Sequence, residues 1–210
     1  MSDISRDSRY DRKIMIRRIA ASGMLTAMAV VLMYLEFTLP LMPEFLKFDF
    51  SEVPVLIGSF SIGPVYGVII ELLKNLIHLP ATNTEGIGEM SNFITGSLYV
   101  FTAGFLYQKH RTRKGAVVAM IIGTLALGAF AAPFNYFVTL PLYGEVLGFP
   151  MVAIIGLCSA ANSHVHDKMD VILMVFVPFN IFKGLVVAFI TFWIYKPISR
   201  LIHQTYENTH

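Results

Sequence analysis

VPVLIGSFSIGPVYGVIIELLKNLIHL, residues 53–79, is the stretch whose reading decides the fold. It is apolar and long enough for one membrane crossing of roughly 20 residues. Pro54, Gly58, Gly63-Pro64 and Gly67 nevertheless interrupt it. Proline cannot continue a helix smoothly and glycine tolerates a turn, so Gly63-Pro64 predicts a break. Read as one crossing, the stretch puts the next charged connection outside the cell. Split at Gly63-Pro64, it puts that connection inside.

The surrounding chain decides between the two. Further apolar runs cover Met15 to about Leu39, Met90 to Tyr107, Ala116 to about Leu142, and Val171 to about Tyr195, with a shorter patch at Phe149 to Ala161. Of sixteen Lys and Arg, twelve fall in three short segments: Arg6 to Arg18, Lys109 to Lys114, and Lys196 with Arg200. Short basic segments stay in the cytoplasm, so successive clusters require an even number of crossings between them. Only the split satisfies this parity. The sequence therefore predicts an all-α integral membrane protein of six transmembrane helices, the second short or broken, with both termini cytoplasmic. The short piece, Ser51 to Ile62, must be buried among its neighbours. Residues 1–210 read as a single membrane domain, with 1–13 expected to be a mobile, charged cytoplasmic N-terminus.

Composition agrees. Of the 210 residues, 55% are hydrophobic and 14% charged, and the mean hydropathy is +0.64. Soluble domains carry about 25% charged residues. A net charge of +2 offers nothing to nucleic acid, and the single Cys158 excludes a disulfide framework or a cysteine zinc cage. No P-loop, H-E-x-x-H or G-x-S-x-G motif is present, so neither ATP hydrolysis nor common hydrolase chemistry is expected of the chain itself. His164, His166, Asp167 and Asp170 read as a solvated turn, and no metal is expected.

Polar groups within a membrane are costly, so their positions are the functional leads. PFNIFKG (178–184) puts Asn180 and Lys183 on one helix face beside the kinking Pro178, and PFNYF (133–137) repeats the pattern with Asn135. Two Asn and a Lys at similar depth suit a planar polar ligand; helix-to-helix hydrogen bonding and snorkelling of Lys183 are the plainer alternatives. The connection PLMPEFLKFDFSE (40–52) reads as a lid over a cavity or as an interfacial anchor. Its Asp49, Ser51 and Glu52 read as an N-terminal cap for the next helix. Glu71, Asn75 and His78 share a stripe, with Lys74 beside Glu71, and a structural Glu71–Lys74 pair or a contact with neighbouring helices is expected.

LKFDFSEVPVLIGSFSIGPVYGVIIELLKNLIHLP (46–80), GIGEMSNFITGSLYVFTAGFLY (86–107), NYFVTLPLYG (135–144) and PFNIFKG (178–184) together resemble the substrate-binding S component of energy-coupling factor (ECF) vitamin transporters, specifically the riboflavin type. The resemblance implies riboflavin as transported ligand with no cofactor, held by Asn135, Asn180 and Lys183, with Leu46 and Lys47 of the lid nearby. It implies a transmembrane coupling protein, the T component, two cytoplasmic ATPase subunits and a bacterial cell membrane. It also implies a docking face of small residues on the first helix, for which Ala20, Gly23 and Ala27 are the match. The rival readings are an S component for flavin mononucleotide or another vitamin, an intramembrane hydrolase using Glu71 and His78, and a stand-alone channel or carrier.

Overall fold

The computed structural model describes the backbone of residues 2–40 and 42–207 and the side chains of residues 12–40 and 42–194. Helix α1 (Ser2–Tyr34) leads into a two-stranded ribbon of β1 (Phe37–Thr38) and β2 (Lys47–Phe48), antiparallel with Phe37 opposite Phe48. Then follow α2 (Glu52–Ser61), α3 (Pro64–His78) and α4 (Ile87–Lys109). Helix α5 (Arg113–Phe134) runs through a π-helical turn, Asn135–Thr139, into α6 (Leu140–Val146). Helix α7 (Met151–Ala161) is short, and α8 (Lys168–Val171) continues through a second π turn, Ile172–Phe176, into α9 (Val177–Glu207).

The break expected at Gly63-Pro64 is present. Helix α2 ends at Ser61, Gly63 takes φ +142°, and Pro64 opens α3, where its missing N–H costs nothing. Glu52 at the start of α2 meets Lys74 late in α3, and Ser59 meets Gly67 beside the break, so the two helices form an antiparallel hairpin. A Cβ on Gly67 would stand 2.7 Å from Ser59 Cβ, which makes glycine a condition of that close approach. A Cβ on Gly63 would stand 3.4 Å from Gln108 Nε2, so the hairpin turns at the end of the bundle that carries Lys109. Every residue of α2 except Ser61 is buried, as its length demands.

Three stretches among the described residues are long and apolar enough to cross a membrane: Arg12–Tyr34, Arg113–Val146 and Lys168–Ile194. Helix α3, at 15 residues, is shorter than these stretches, and it carries Glu71, Lys74, Asn75 and His78, all buried inside the bundle. Met24, Met28 and Val31 of α1 and Phe189 and Trp193 of α9 are exposed apolar side chains on the outside of the bundle. One apolar cluster joins α1 to α5 with α9, around Leu56, Ile70, Val100 and Met120. A second gathers Leu46 and Phe48 of the ribbon connection with Ile154, Val171 and Phe176. This second cluster fastens the 40–52 connection onto the bundle end remote from Lys109.

The structure corrects the cap reading. Ser51 occupies the N-cap position of α2 but has helical φ and ψ and makes no side-chain cap bond. Asp49 Oδ1 instead accepts from the Ser51 N–H at 2.7 Å, and the Ser51 hydroxyl accepts from Lys74 at 2.8 Å. Asp167 and Asp170 do form a capping box, on α8, which commits both carboxylates of the His164–Asp170 turn to backbone N–H groups.

Candidate functional site

A cavity of about 420 Å³ opens at the end of the bundle away from Lys109, within the range of small-molecule sites. All five residues expected at a ligand site line it: Leu46, Lys47, Asn135, Asn180 and Lys183. Phe45, Tyr143, Phe149, Phe176 and Phe179 supply aromatic lining. Phe45, from the lid, lies edge-on to Tyr143 at 5.5 Å and stacked on Phe176 at 6.2 Å between ring centroids. The connection therefore folds over the cavity as a lid, with Leu46 and Phe48 buried rather than anchored in lipid.

Two prolines place the two asparagines. Pro133 and Pro178 each remove a backbone donor, and each sits beside a π turn: Leu140 N–H reaches Asn135 O, and Val177 N–H reaches Ile172 O. The Asn135 amide donates to Ala131 O at 2.7 Å and the Asn180 amide to Phe176 O at 2.8 Å. Each bond fixes the carboxamide while committing one of its two N–H groups, leaving one donor and the carbonyl oxygen for a ligand. Asn135 is 2% exposed.

Lys183 does not snorkel. Its ammonium donates to Asp49 Oδ2 at 3.0 Å and to Asn92 Oδ1 at 3.3 Å, which leaves a third donor. Burial opposes ionisation of Asp49, but the Lys183 and Lys74 ammoniums and the Ser51 N–H outweigh it and hold the carboxyl down to about 2. Asn92 passes the contact on, donating to Asn75 Oδ1 at 3.2 Å, and Asn75 donates to Glu71 Oε1 at 2.9 Å.

Glu71 and Lys74 form the expected pair at 3.0 Å, and Lys74 also meets Glu52 at 2.7 Å. A Cβ on Gly96 would lie 2.6 Å from Glu71 Oε1 and 3.0 Å from Glu52 Oε1, so α4 leaves room for both carboxylates only through a glycine. His78 pairs with Glu89 at 2.9 Å. Glu71 and His78 thus serve different partners and do not form a catalytic pair. No cluster of three or more His, Cys, Asp or Glu suited to a metal occurs among the described residues.

Residues 17–195 match the model of the family described as ECF transporter, substrate-specific component. The chain belongs to this family. As an S component it is a membrane transport protein and not an enzyme. It is similar to riboflavin transporter RibU of Staphylococcus aureus (33% identity over 90% of this chain and 93% of that one) and to riboflavin transporter FmnP of Bacillus subtilis (30% identity, 90% and 95%). A solved structure of the S component of a bacterial ECF transporter matches with a TM-score of 0.71 and 30% identity, covering 90% of this chain and 98% of that one.

Among the lining residues of this S component that escaped the sequence reading are Asn92, Thr95, Thr139 and Tyr143. Asn92 carried the signal that exposed Asn135, a carboxamide within an apolar helix. Asp49 was assigned to a cap, since nothing in the sequence links it to Lys183. Of the expected docking residues, Ala20, Gly23 and Ala27 all face outward on α1, and no atom lies within 4 Å of a Cβ built on Gly23. The basic residues Arg6, Arg9, Lys196 and Arg200 have side chains outside the described residues.

Proposed function

We propose that this chain captures riboflavin from outside the cell and carries it across the cytoplasmic membrane as an ECF S component, energised by ATP hydrolysis on partner subunits. The observation that carries the reading is the gathering of Asn135, Asn180, Lys183, Leu46 and Lys47 around one cavity with an aromatic lining. The pyrimidine edge of flavin presents an N–H between two carbonyls. Carboxamides offer both donor and acceptor, and the ammonium serves a carbonyl or ring nitrogen. The dimethylbenzene end suits Phe45, Phe176 and Phe179. The two named riboflavin transporters among the relatives support the same ligand.

In this reading the chain is one domain with six crossings and both termini in the cytoplasm, and residues 1–13 form a mobile charged tail. The hairpin turn at the Lys109 end supports an even number of crossings before that cluster. The cavity then opens outside. The small outward face of Ala20, Gly23 and Ala27 receives a transmembrane coupling protein, which carries two cytoplasmic ATPases. The membrane is the cell membrane of a bacterium, and riboflavin is a cargo rather than a cofactor.

The test is the absorption spectrum of the protein purified in detergent, followed by titration of riboflavin fluorescence. Flavin bands, or quenching that weakens in Asn180→Ala and Lys183→Ala, bear the reading out. A colourless protein that quenches no riboflavin overturns it.

A further inference from the structure

A second cavity, of about 20 Å³, adjoins the ligand cavity, and Thr95, Asn180 and Lys183 line both. Its volume suits one water-sized guest. Glu52 of α2 lines this cavity and not the larger one. Glu52 is 3% exposed, and its Oε1 meets Lys74 at 2.7 Å. Its Oε2 is buried with no hydrogen-bond partner among the described residues. A buried carboxylate oxygen left in that state is costly, and folded proteins meet the cost with a partner or an ordered water. Two hydroxyls share the wall. Thr95 gives its proton to Ser91 O at 2.7 Å and Tyr99 gives its proton to Gly184 O at 3.3 Å, so each offers a guest only lone pairs. Asn180 spends one amide N–H on Phe176 O and keeps the second.

We propose that the small cavity is a binding site for one ordered water, which donates to Glu52 Oε2 and to the Thr95 or Tyr99 hydroxyl and accepts the second N–H of Asn180, and that Glu52 thereby positions Asn180 for the ligand. The walls are rich in acceptors and hold one amide donor, and a water has two hydrogens to give and lone pairs to receive. A metal cation would take the oxygens, but it cannot accept the amide N–H and would stand against the charge of Lys183. An anion would face the Glu52 carboxylate. With both N–H groups of Asn180 held, one by Phe176 O and one by the water, its carbonyl oxygen is left for the ligand cavity, where it suits the N–H of the flavin pyrimidine edge. That last step rests on the riboflavin reading above, whereas the water does not. Glu52 then acts on the ligand from α2 without touching it.

The experiment evicts the water. Val187 is fully buried and lines the small cavity, so Val187→Ile fills it with one added methylene. The thermal midpoint of the detergent-purified chain should fall, because Glu52 Oε2 is stranded. In a Glu52→Met background the same substitution should cost little or raise the midpoint, as filling a dry cavity does. Equal shifts in the two backgrounds overturn the water. A crystal structure grown in rubidium salt supplies the direct check: a water peak about 2.8 Å from Glu52 Oε2 is expected, and an empty cavity or rubidium scattering there overturns the proposal. Both readouts are taken without flavin, so they decide the water whatever becomes of the riboflavin reading. Fluorescence titration then tests the positioning. Val187→Ile should weaken riboflavin binding several-fold in the otherwise unchanged chain and add little to the loss in Asn180→Ala, whereas the same further loss in both overturns the role given to Glu52. Failure of the unchanged chain to bind riboflavin overturns the riboflavin reading and, with it, the positioning role.

Discussion

Lys183 and Asp49 are joined at 3.0 Å across 134 residues of sequence, one from the last helix and the other from the lid. Their side chains are 10% and 5% exposed. The pair lies on a closed ring. Asp49 accepts from the Ser51 N–H, Ser51 from Lys74, and Lys74 pairs with Glu71. Glu71 accepts from Asn75, Asn75 from Asn92, and Asn92 from Lys183. The ligand-facing ammonium is thereby fastened to the lid, the α2–α3 hairpin and α4 at once. The ring closes on itself, while Glu52 Oε2, on the carboxylate that Lys74 also meets, is buried with no hydrogen-bond partner among the described residues.

Removing Asp49 should loosen the lid and strand the Lys183 charge. Breaking one side of a buried pair costs about 3 kcal/mol. Asp49→Ala should lower the thermal midpoint in detergent by several degrees and weaken riboflavin binding, with Lys183→Met relieving part of the stability loss. Independent, fully additive losses in the double variant would refute the pairing.

The same pair sets a pH dependence. Asp49 is held at about 2 in the folded chain against an ordinary value of 3.8. A depressed carboxylate stabilises the fold fully above its unfolded value, and that stability is lost as pH falls towards the folded value. Thermal unfolding in detergent should show this contribution flat above pH 5 and declining from about pH 4 to pH 2. Asp49→Asn should shrink the decline.

Gly67→Ala puts a methyl group 2.7 Å from Ser59 Cβ, where α2 and α3 pack closely beside the break. Neither neighbour is a flexible side-chain end, so the hairpin must spread. The expected cost is about 1–3 kcal/mol, read as a lower unfolding midpoint. An unchanged midpoint would mean that the hairpin is packed otherwise.

Lys74 balances Glu52 and Glu71 in a site without solvent. Lys74→Met leaves two facing carboxylates uncompensated, and the protein should fail to accumulate in membranes or lose about 3–5 kcal/mol. Adding Glu71→Gln should recover part of the folded yield, and a variant with wild-type yield would sink the argument.

Substitution of Gly23 by Leu has open space to fill within this chain. Riboflavin binding to the purified protein should be unchanged, whereas uptake by cells carrying the coupling module should fall strongly. Undiminished uptake would remove the α1 face from the docking surface.

The sequence by itself determined the membrane class, the hairpin break and the two asparagines. These follow from local chemistry: a run of apolar residues needs lipid or a core, Gly63-Pro64 cannot continue a helix, and Pro133 and Pro178 mark their own kinks. Parity of the basic clusters sufficed to predict that the 53–79 stretch turns back. Tertiary structure alone decided which charges meet. Asp49, read locally, was a cap residue, and only the folding of the lid against α9 made it the counter-ion of Lys183. Asn92 was one polar residue in an apolar helix until α3 and α9 placed Asn75 and Lys183 on either side of it. The reason is physical. Helix breaks and spans depend on neighbours a few residues apart, whereas a buried charge takes its partner from whichever helix the packing brings within about 3 Å.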